Sequence, residues 1–180
     1  MDDSQIPPAN AAHVTTGQPV LLALYRHWTA LCGERRFPRR RDVDPAGMWR
    51  LIENVMMIEV AYPAVGSPAD SRPVFRYRLI GTGVTFAAGY DLTGSSFDDL
   101  PDLEFRAFCQ SLFERALALA EPVSAAGERT IDGERWAFDS ILLPLSEDDR
   151  RIDAFLAALV YPRNWNRGRR PKPPWNWHNA

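Results

Sequence analysis

Apolar and charged residues alternate at the start of the stretch FRYRLIGTGVTFAAGYDLTG, residues 75–94. Phe75, Tyr77 and Leu79 fall on one face of an extended chain, and arginines occupy the positions between them. This period of two predicts a half-buried strand, because successive side chains of a strand point to opposite faces. Two glycines follow and predict the end of the strand. The small and aromatic residues beyond them indicate short helical turns folded against a sheet.

Apolar residues recur at steps of three and four in two other segments, which is the spacing of one helical face. The predicted helices cover residues 19–33 and about 101–120, and an aspartate-proline pair predicts a further short helix over 45–53. Either the domain's own sheet or a second subunit must cover the apolar stripe of the first helix. We predict a homodimer whose contact is formed by Leu21, Leu24, Tyr25 and Trp28.

Apolar stretches predict four further strands, at residues 54–61, 122–131, 134–145 and 152–161. Asp132-Gly133, between the second and third of these, is a strong signal for a two-residue hairpin turn. The predicted order is therefore two strands, several helices, and three antiparallel strands. Such runs of strands around a helical insert predict an α+β fold with helices on one face of the sheet.

Four segments carry a resemblance to a known family: RRFPRRRDVDP at 35–45, FRYRLIGTGV at 75–84, AAGYDLTG at 87–94 and ILLPLSEDD at 141–149. They resemble PAS domains, in particular the single-domain bacterial PAS family whose members begin with a helix and an arginine-rich loop. The resemblance spans roughly residues 20–161. It implies a five-stranded antiparallel sheet with helices on one face, plus an N-terminal helical extension. It also implies a sensory or interaction role, commonly without an attached output domain.

The same resemblance and the composition divide the chain into four parts. Residues 1–18 are polar and rich in proline, which predicts a flexible N-terminal tail. An N-terminal helical extension is expected over 19–53 and the PAS-like domain over 54–161. Residues 162–180 form a basic, tryptophan-rich C-terminal tail.

A curved sheet under loosely packed helices can leave an apolar pocket. We predict that a ligand binds there, against the inward faces of the strands and the helical wall, through Tyr77, Leu79, Phe86, Tyr90, Phe108, Leu112, Trp136, Phe138, Ser140 and Leu142. The same residues are compatible with a filled core or a small void, because inward aromatic residues commonly form plain core. Both alternatives stay open at the level of the sequence.

The sequence leaves any cofactor unknown. PAS domains that bind haem usually supply an axial histidine from the long helix, whereas the histidines here are His13, His27 and His178. Photoactive flavin-binding PAS domains share an asparagine-cysteine-arginine motif ahead of the long helix, and here Cys109 lies within the predicted helix instead. The sequence contains no nucleophile elbow, phosphate-binding glycine loop or metal-ligand spacing, so we do not predict an enzyme.

The formal net charge is −2, but basic residues concentrate in two segments. The first is the loop at 34–44, with Arg35, Arg36, Arg39, Arg40 and Arg41. The second is the C-terminal tail, where tryptophans interleave with Arg163, Arg167, Arg169, Arg170 and Lys172. Both segments predict an anionic partner, either nucleic acid or a membrane surface. The alternatives are a solvated loop for the first and tryptophans folded back on the domain or on a second subunit for the second.

The two cysteines form no disulfide or metal pattern, and no apolar run follows the acidic N-terminus, which predicts a cytoplasmic protein. The leading functional prediction is a stand-alone PAS sensory or regulatory module. It would bind a small apolar or amphipathic ligand and act through contacts with an unidentified signalling protein. The alternatives are an interaction adaptor with a filled core and a binder of nucleic acid or anionic surfaces.

Overall fold

The computed structural model describes residues 13–64, 72–89, 91–131 and 133–161. Within these residues the α-helices are α1 (Pro19–Cys32), α2 (Thr82–Ala88) and α3 (Leu103–Leu119). The strands are β1 (Val55–Ala61), β2 (Val74–Ile80), β3 (Val123–Ile131), β4 (Glu134–Leu145) and β5 (Ala154–Val160). Short 3-10 helices lie at Arg40–Asp42, Pro45–Met48, Ile52–Asn54 and Phe97–Asp99.

The five strands form one sheet in the order β2-β1-β5-β4-β3, and every neighbouring pair is antiparallel. The last strand of the chain therefore lies at the centre of the sheet, between β1 and β4. Ile131 pairs with Glu134 at the end of the β3-β4 hairpin, and Gly133 has a φ of +81° that suits a tight turn. The predicted α+β fold with a five-stranded antiparallel sheet is confirmed.

Both long helices begin and end where the sequence predicts. α1 starts at a proline, which costs no hydrogen bond in the first turn, and Gly33 follows its last residue with a φ of +54°. α3 starts after Asp102, whose carboxylate accepts a hydrogen bond of 3.0 Å from the Phe105 backbone N–H. This cap satisfies one of the free N–H groups of the first turn.

The alternation of side chains along β4 divides the sheet into two faces. Phe138, Ser140 and Leu142 point to the inner face, which α3 covers. Ile141, Leu143 and Leu145 point to the outer face, where they are completely buried. α1 contacts β4 and β5, so this helix covers the outer face.

The apolar stripe of α1 packs on the sheet of its own chain. Leu21, Leu24, Tyr25 and Trp28 are all buried there. The Trp28 indole N–H also donates a hydrogen bond of 2.8 Å to the Pro144 carbonyl oxygen. The prediction that these four residues form a dimer contact is therefore wrong, because β4 and β5 already cover them. A homodimer through another surface stays a prediction.

A β-bulge interrupts the alternation of β2. Ile58 pairs with Tyr77 and Met57 pairs with Leu79, so β2 has one extra residue, Arg78, between these two pairs. The extra residue moves Leu79 to the outer face, where 38% of its surface is exposed. The period-two pattern of the sequence holds for Tyr77 but fails for Leu79 because of this bulge.

The predicted helix over residues 45–53 is wrong. Two separate 3-10 helices take its place, at Pro45–Met48 and Ile52–Asn54. The second packs against α2 at very short range, since a Cβ at position 81 would lie 2.1 Å from the Ile52 carbonyl oxygen. Gly81 therefore ends β2 and also allows α2 to start directly against the backbone of a neighbouring turn.

Residues 13–18 lie along the edge strand β3. The Ser124 backbone N–H donates to the His13 carbonyl oxygen at 3.0 Å, and the Thr15 N–H donates to the Ser124 hydroxyl at 2.8 Å. The division of the chain into two tails, an extension and a domain stays a prediction.

Candidate functional site

A cavity lies on the inner face of the sheet, under α2 and α3. The cavity has a volume of about 40 Å³, enough for roughly three or four water-sized groups. It is thus smaller than the ~300–1,000 Å³ pockets that hold drug-sized ligands. The cavity suits a small molecule or one end of a larger one.

Aromatic side chains form most of one wall. Phe138 of β4 meets Phe105 and Phe108 of α3 edge-to-face, with ring centroids 5.8 and 5.6 Å apart, and meets the Tyr161 ring at 6.0 Å. Gly127 makes this cluster possible, because a Cβ there would lie 2.6 Å from the tip of the Phe138 ring. The wall is therefore rigid and apolar.

Few polar groups reach the cavity. Ser140 is buried, and its hydroxyl donates a hydrogen bond of 3.0 Å to the Ala125 carbonyl oxygen. The Tyr161 hydroxyl and the Cys109 thiol also line the site. Burial raises the pKa of Tyr161, and burial raises the pKa of Cys109 to about 12 although the nearby Arg129 charge opposes it. Both groups are therefore protonated at pH 7.

Arg129 of β3 is the charged residue in the wall of this cavity. Only 9% of its surface is exposed, and its guanidinium carbon lies 4.5 Å from the centre of the Phe105 ring. Its Nε has no hydrogen-bond acceptor among the described residues. Besides the Phe105 ring, its neighbour is the neutral Tyr161 hydroxyl. A buried cation without a counter-charge is costly, and such groups concentrate at functional sites.

The structure brings together six of the ten predicted ligand-binding residues. The cavity is lined by Tyr77, Phe108, Leu112, Phe138, Ser140 and Leu142. Leu79 points to the outer face, and Trp136 is partly buried but does not line the cavity. Phe86 lies on α2 off the buried face formed by Val84 and Ala87. The placement of these three residues in the wall is wrong, and Tyr90 lies outside the described residues.

The sequence prediction missed Arg129, although a signal for it was present. β3 and β4 pair so that Ala125 faces Ser140 and Arg129 faces Trp136, which places every second residue of β3 on the inner face. The alternation that begins at Val123 therefore places Arg129 on the inner face. A charged side chain on a strand normally faces solvent, so charge alone does not predict this inward position.

Two arginines of the basic loop at 34–44 make hydrogen bonds within the chain. Arg35 donates to the Ser146 carbonyl oxygen at 2.8 Å, and Arg36 donates to the Ala120 carbonyl oxygen at 2.9 Å. Arg39, Arg40 and Arg41 lie at the following 3-10 helix, and the last two are exposed. Binding of an anionic partner here stays a prediction, and the basic residues of the C-terminal tail lie outside the described residues.

Neither a metal-binding cluster nor a membrane-spanning helix occurs in the described part of the chain. No group of three or more histidine, cysteine, aspartate or glutamate residues there could hold a metal ion. None of its helices is both long enough and apolar enough to span a bilayer.

Comparisons with known proteins agree with this architecture. The family model described as "PAS domain" matches residues 17–160. Comparison with curated proteins gives no significant match.

Solved structures of light-oxygen-voltage domains are similar in part. One, studied with a flavin analogue, has 13% identity and a TM-score of 0.46, over 65% of this chain and 82% of that chain. A variant of RsLOV has 14% identity and a TM-score of 0.43, over 65% and 64%. An RNA-binding light-oxygen-voltage receptor has 22% identity and a TM-score of 0.35, over 65% of this chain and 31% of the receptor.

Proposed function

Because the chain belongs to the PAS domain family, we propose that it is a sensory or regulatory module that binds a small, largely apolar ligand in the inner-face cavity. PAS domains are typically sensory. The module would pass its state to a partner protein through surface contacts.

The observation that supports this proposal is the cavity itself. Its wall combines rigid aromatic side chains with a few fixed polar groups, which is the usual composition of a small-molecule site. Empty space in a core also costs stability, since the atoms that line it lose packing contacts. A bound ligand would restore those contacts.

The small volume favours a second candidate, an adaptor whose core is effectively filled. In that case the cavity would stay without a ligand, and the protein would act only through its surface. The same experiment separates the two candidates.

A substitution at Ala157 can fill the cavity. Ala157 is buried on β5 and lines the cavity beside Leu142, its partner on β4. Native mass spectrometry of the protein purified from two expression hosts is expected to show an extra bound mass. Ala157→Val adds two methyl groups in this space and is expected to remove that mass. Ala118→Val makes the same change at an exposed position of α3 and is expected to retain it.

Circular dichroism of both variants checks that they are folded. A clean unbound mass from both hosts, together with no change in amide NMR shifts on addition of small apolar compounds, would support the adaptor and overturn the ligand-binding proposal. Equal retention of the bound mass by both variants would place the ligand elsewhere and contradict the proposed site.

A further inference from the structure

The chemistry of the cavity defines the class of ligand. We propose that this ligand is a small monocarboxylate with an apolar body, whose carboxylate pairs with the Arg129 guanidinium. The inference rests on the proposed function and makes the ligand of the same site specific.

Arg129 is a buried cation without an ion-pair partner among the described residues. It is nine-tenths buried, and no carboxylate of the described residues lies within the 4.0 Å of an ion pair with it. The Phe105 ring offsets only part of the cost of burial. A ring face accepts no N–H hydrogen bond of normal strength, and Nε remains without an acceptor.

No other described group neutralises this charge. The neighbouring Tyr161 hydroxyl and Cys109 thiol are both protonated at pH 7. Asp102, whose charge also acts on Cys109, accepts the Phe105 backbone N–H at the start of α3. The Ser140 hydroxyl already donates to the Ala125 carbonyl oxygen. The site therefore presents one positive charge with unused donor capacity.

This arrangement selects one kind of anion. A guanidinium presents parallel N–H donors that match the two oxygens of a carboxylate. A single cation in an apolar cavity is balanced by a monoanion, whereas a phosphate dianion would bring an uncompensated charge into a medium of low dielectric constant. The aromatic wall of Phe105, Phe108 and Phe138 would then contact the hydrocarbon part of the ligand.

The volume sets the size of the ligand. Space for roughly three or four water-sized groups fits a short aliphatic acid and is too small for a long-chain fatty acid. Butyrate is therefore a suitable probe. Butyramide is its matched control, because it has nearly the same shape without the charge.

Binding of both probes to the purified full chain is measured by titration of amide NMR shifts at low salt. Butyrate is expected to bind at least about tenfold more tightly than butyramide, which corresponds to about 1.4 kcal/mol. Arg129→Gln is expected to abolish this preference. Arg135→Gln is expected to preserve it, since Arg135 is exposed and pairs with Glu128 on the opposite face of the same hairpin.

The outcomes distinguish this inference from the proposed function. Equal affinity of the parent protein for butyrate and butyramide overturns the carboxylate proposal and leaves a ligand cavity in place. A preference that survives in Arg129→Gln also overturns it. Binding of neither probe overturns the carboxylate proposal alone, and the native mass spectrometry described above then decides the proposed function. If Arg129→Gln fails to fold, Arg129→Lys replaces it and retains the charge. The relative affinity of the parent protein for butyrate and butyramide then still tests the carboxylate proposal.

Discussion

The two faces of the sheet are built from the same strands and packed in opposite ways. On the outer face, Ile141, Leu143 and Leu145 are completely buried under α1. On the inner face, Phe138 and its aromatic neighbours surround a cavity. The outer face contains a buried indole whose N–H is hydrogen-bonded, whereas the inner face contains a buried guanidinium whose Nε lacks an acceptor.

In this fold the outer face provides close packing, and the inner face contains the proposed ligand site. Dense packing on the outer face removes apolar surface from water, and this stabilises the sheet. The inner face tolerates empty space and an unpaired charge, both of which destabilise the free protein. A ligand that fills the space and pairs the charge would offset both costs, because binding to the folded state increases the free energy of unfolding.

The largest expected effect concerns the outer face. Trp28→Ala removes a completely buried side chain and its hydrogen bond to the Pro144 carbonyl oxygen. We expect a loss of about 3–5 kcal/mol in the free energy of unfolding, measured by guanidinium denaturation. Trp28→Phe keeps an aromatic ring and leaves that carbonyl oxygen without its donor, so we expect a smaller loss of about 1–3 kcal/mol. A loss under about 1 kcal/mol for the alanine variant would show that α1 does not stabilise the sheet.

A smaller effect is expected at the cover of the inner face. A Cβ at position 81 would lie 2.1 Å from the Ile52 carbonyl oxygen and 2.4 Å from the Glu53 carbonyl oxygen. Both contacts are with backbone, so Gly81→Ala must push α2 away from its neighbour. We expect a loss of about 1–3 kcal/mol in the free energy of unfolding.

Hydrogen exchange locates this effect. Amides of α2 are expected to exchange faster in Gly81→Ala, while those of α1 on the other face change only with the global stability. Gly17→Ala is the control, because nothing lies within 4 Å of a Cβ at that position. Equal stabilities of the two variants would contradict the close approach of α2.

The sequence contains most of the information for the fold. The steps of three and four in α1 and α3 and the hairpin signal at Gly133 are local patterns, and each predicted the observed element. Two predictions failed for non-local reasons. The bulge at Arg78 depends on pairing with β1, and the breakdown of the predicted helix at 45–53 depends on packing against α2.

The candidate site was predictable only in part. Alternation and helical spacing suffice to place residues such as Phe108 and Phe138 in the wall of the cavity. Apolar side chains on an inward face are normally buried. Arg129 was missed because a charged side chain on a strand is normally solvated. Its inward position follows from the register of β3 against β4, which pairs it with Trp136.

The finest test compares two thiols, one on each side of the sheet. Cys32 of α1 and Cys109 of α3 are equally exposed, at 8%. Burial raises the pKa of Cys32 to about 11 and the pKa of Cys109 to about 12. At pH 8 the thiolate fraction is therefore very small for both cysteines, and smaller for Cys109 than for Cys32.

Site-resolved alkylation measures these fractions, because the thiolate is the reactive form. At pH 8 we expect both cysteines of the folded protein to react at least about 100-fold more slowly than in guanidinium, and Cys109 to react more slowly than Cys32. Both rates should increase with pH, since raised pKa values mean that deprotonation is incomplete throughout the accessible range. Reaction of Cys109 as fast as in guanidinium would mean that the Arg129 charge outweighs burial and that the thiolate is populated. The thiolate would then itself be the anion that pairs with Arg129, and no carboxylate ligand would be needed to explain the buried charge.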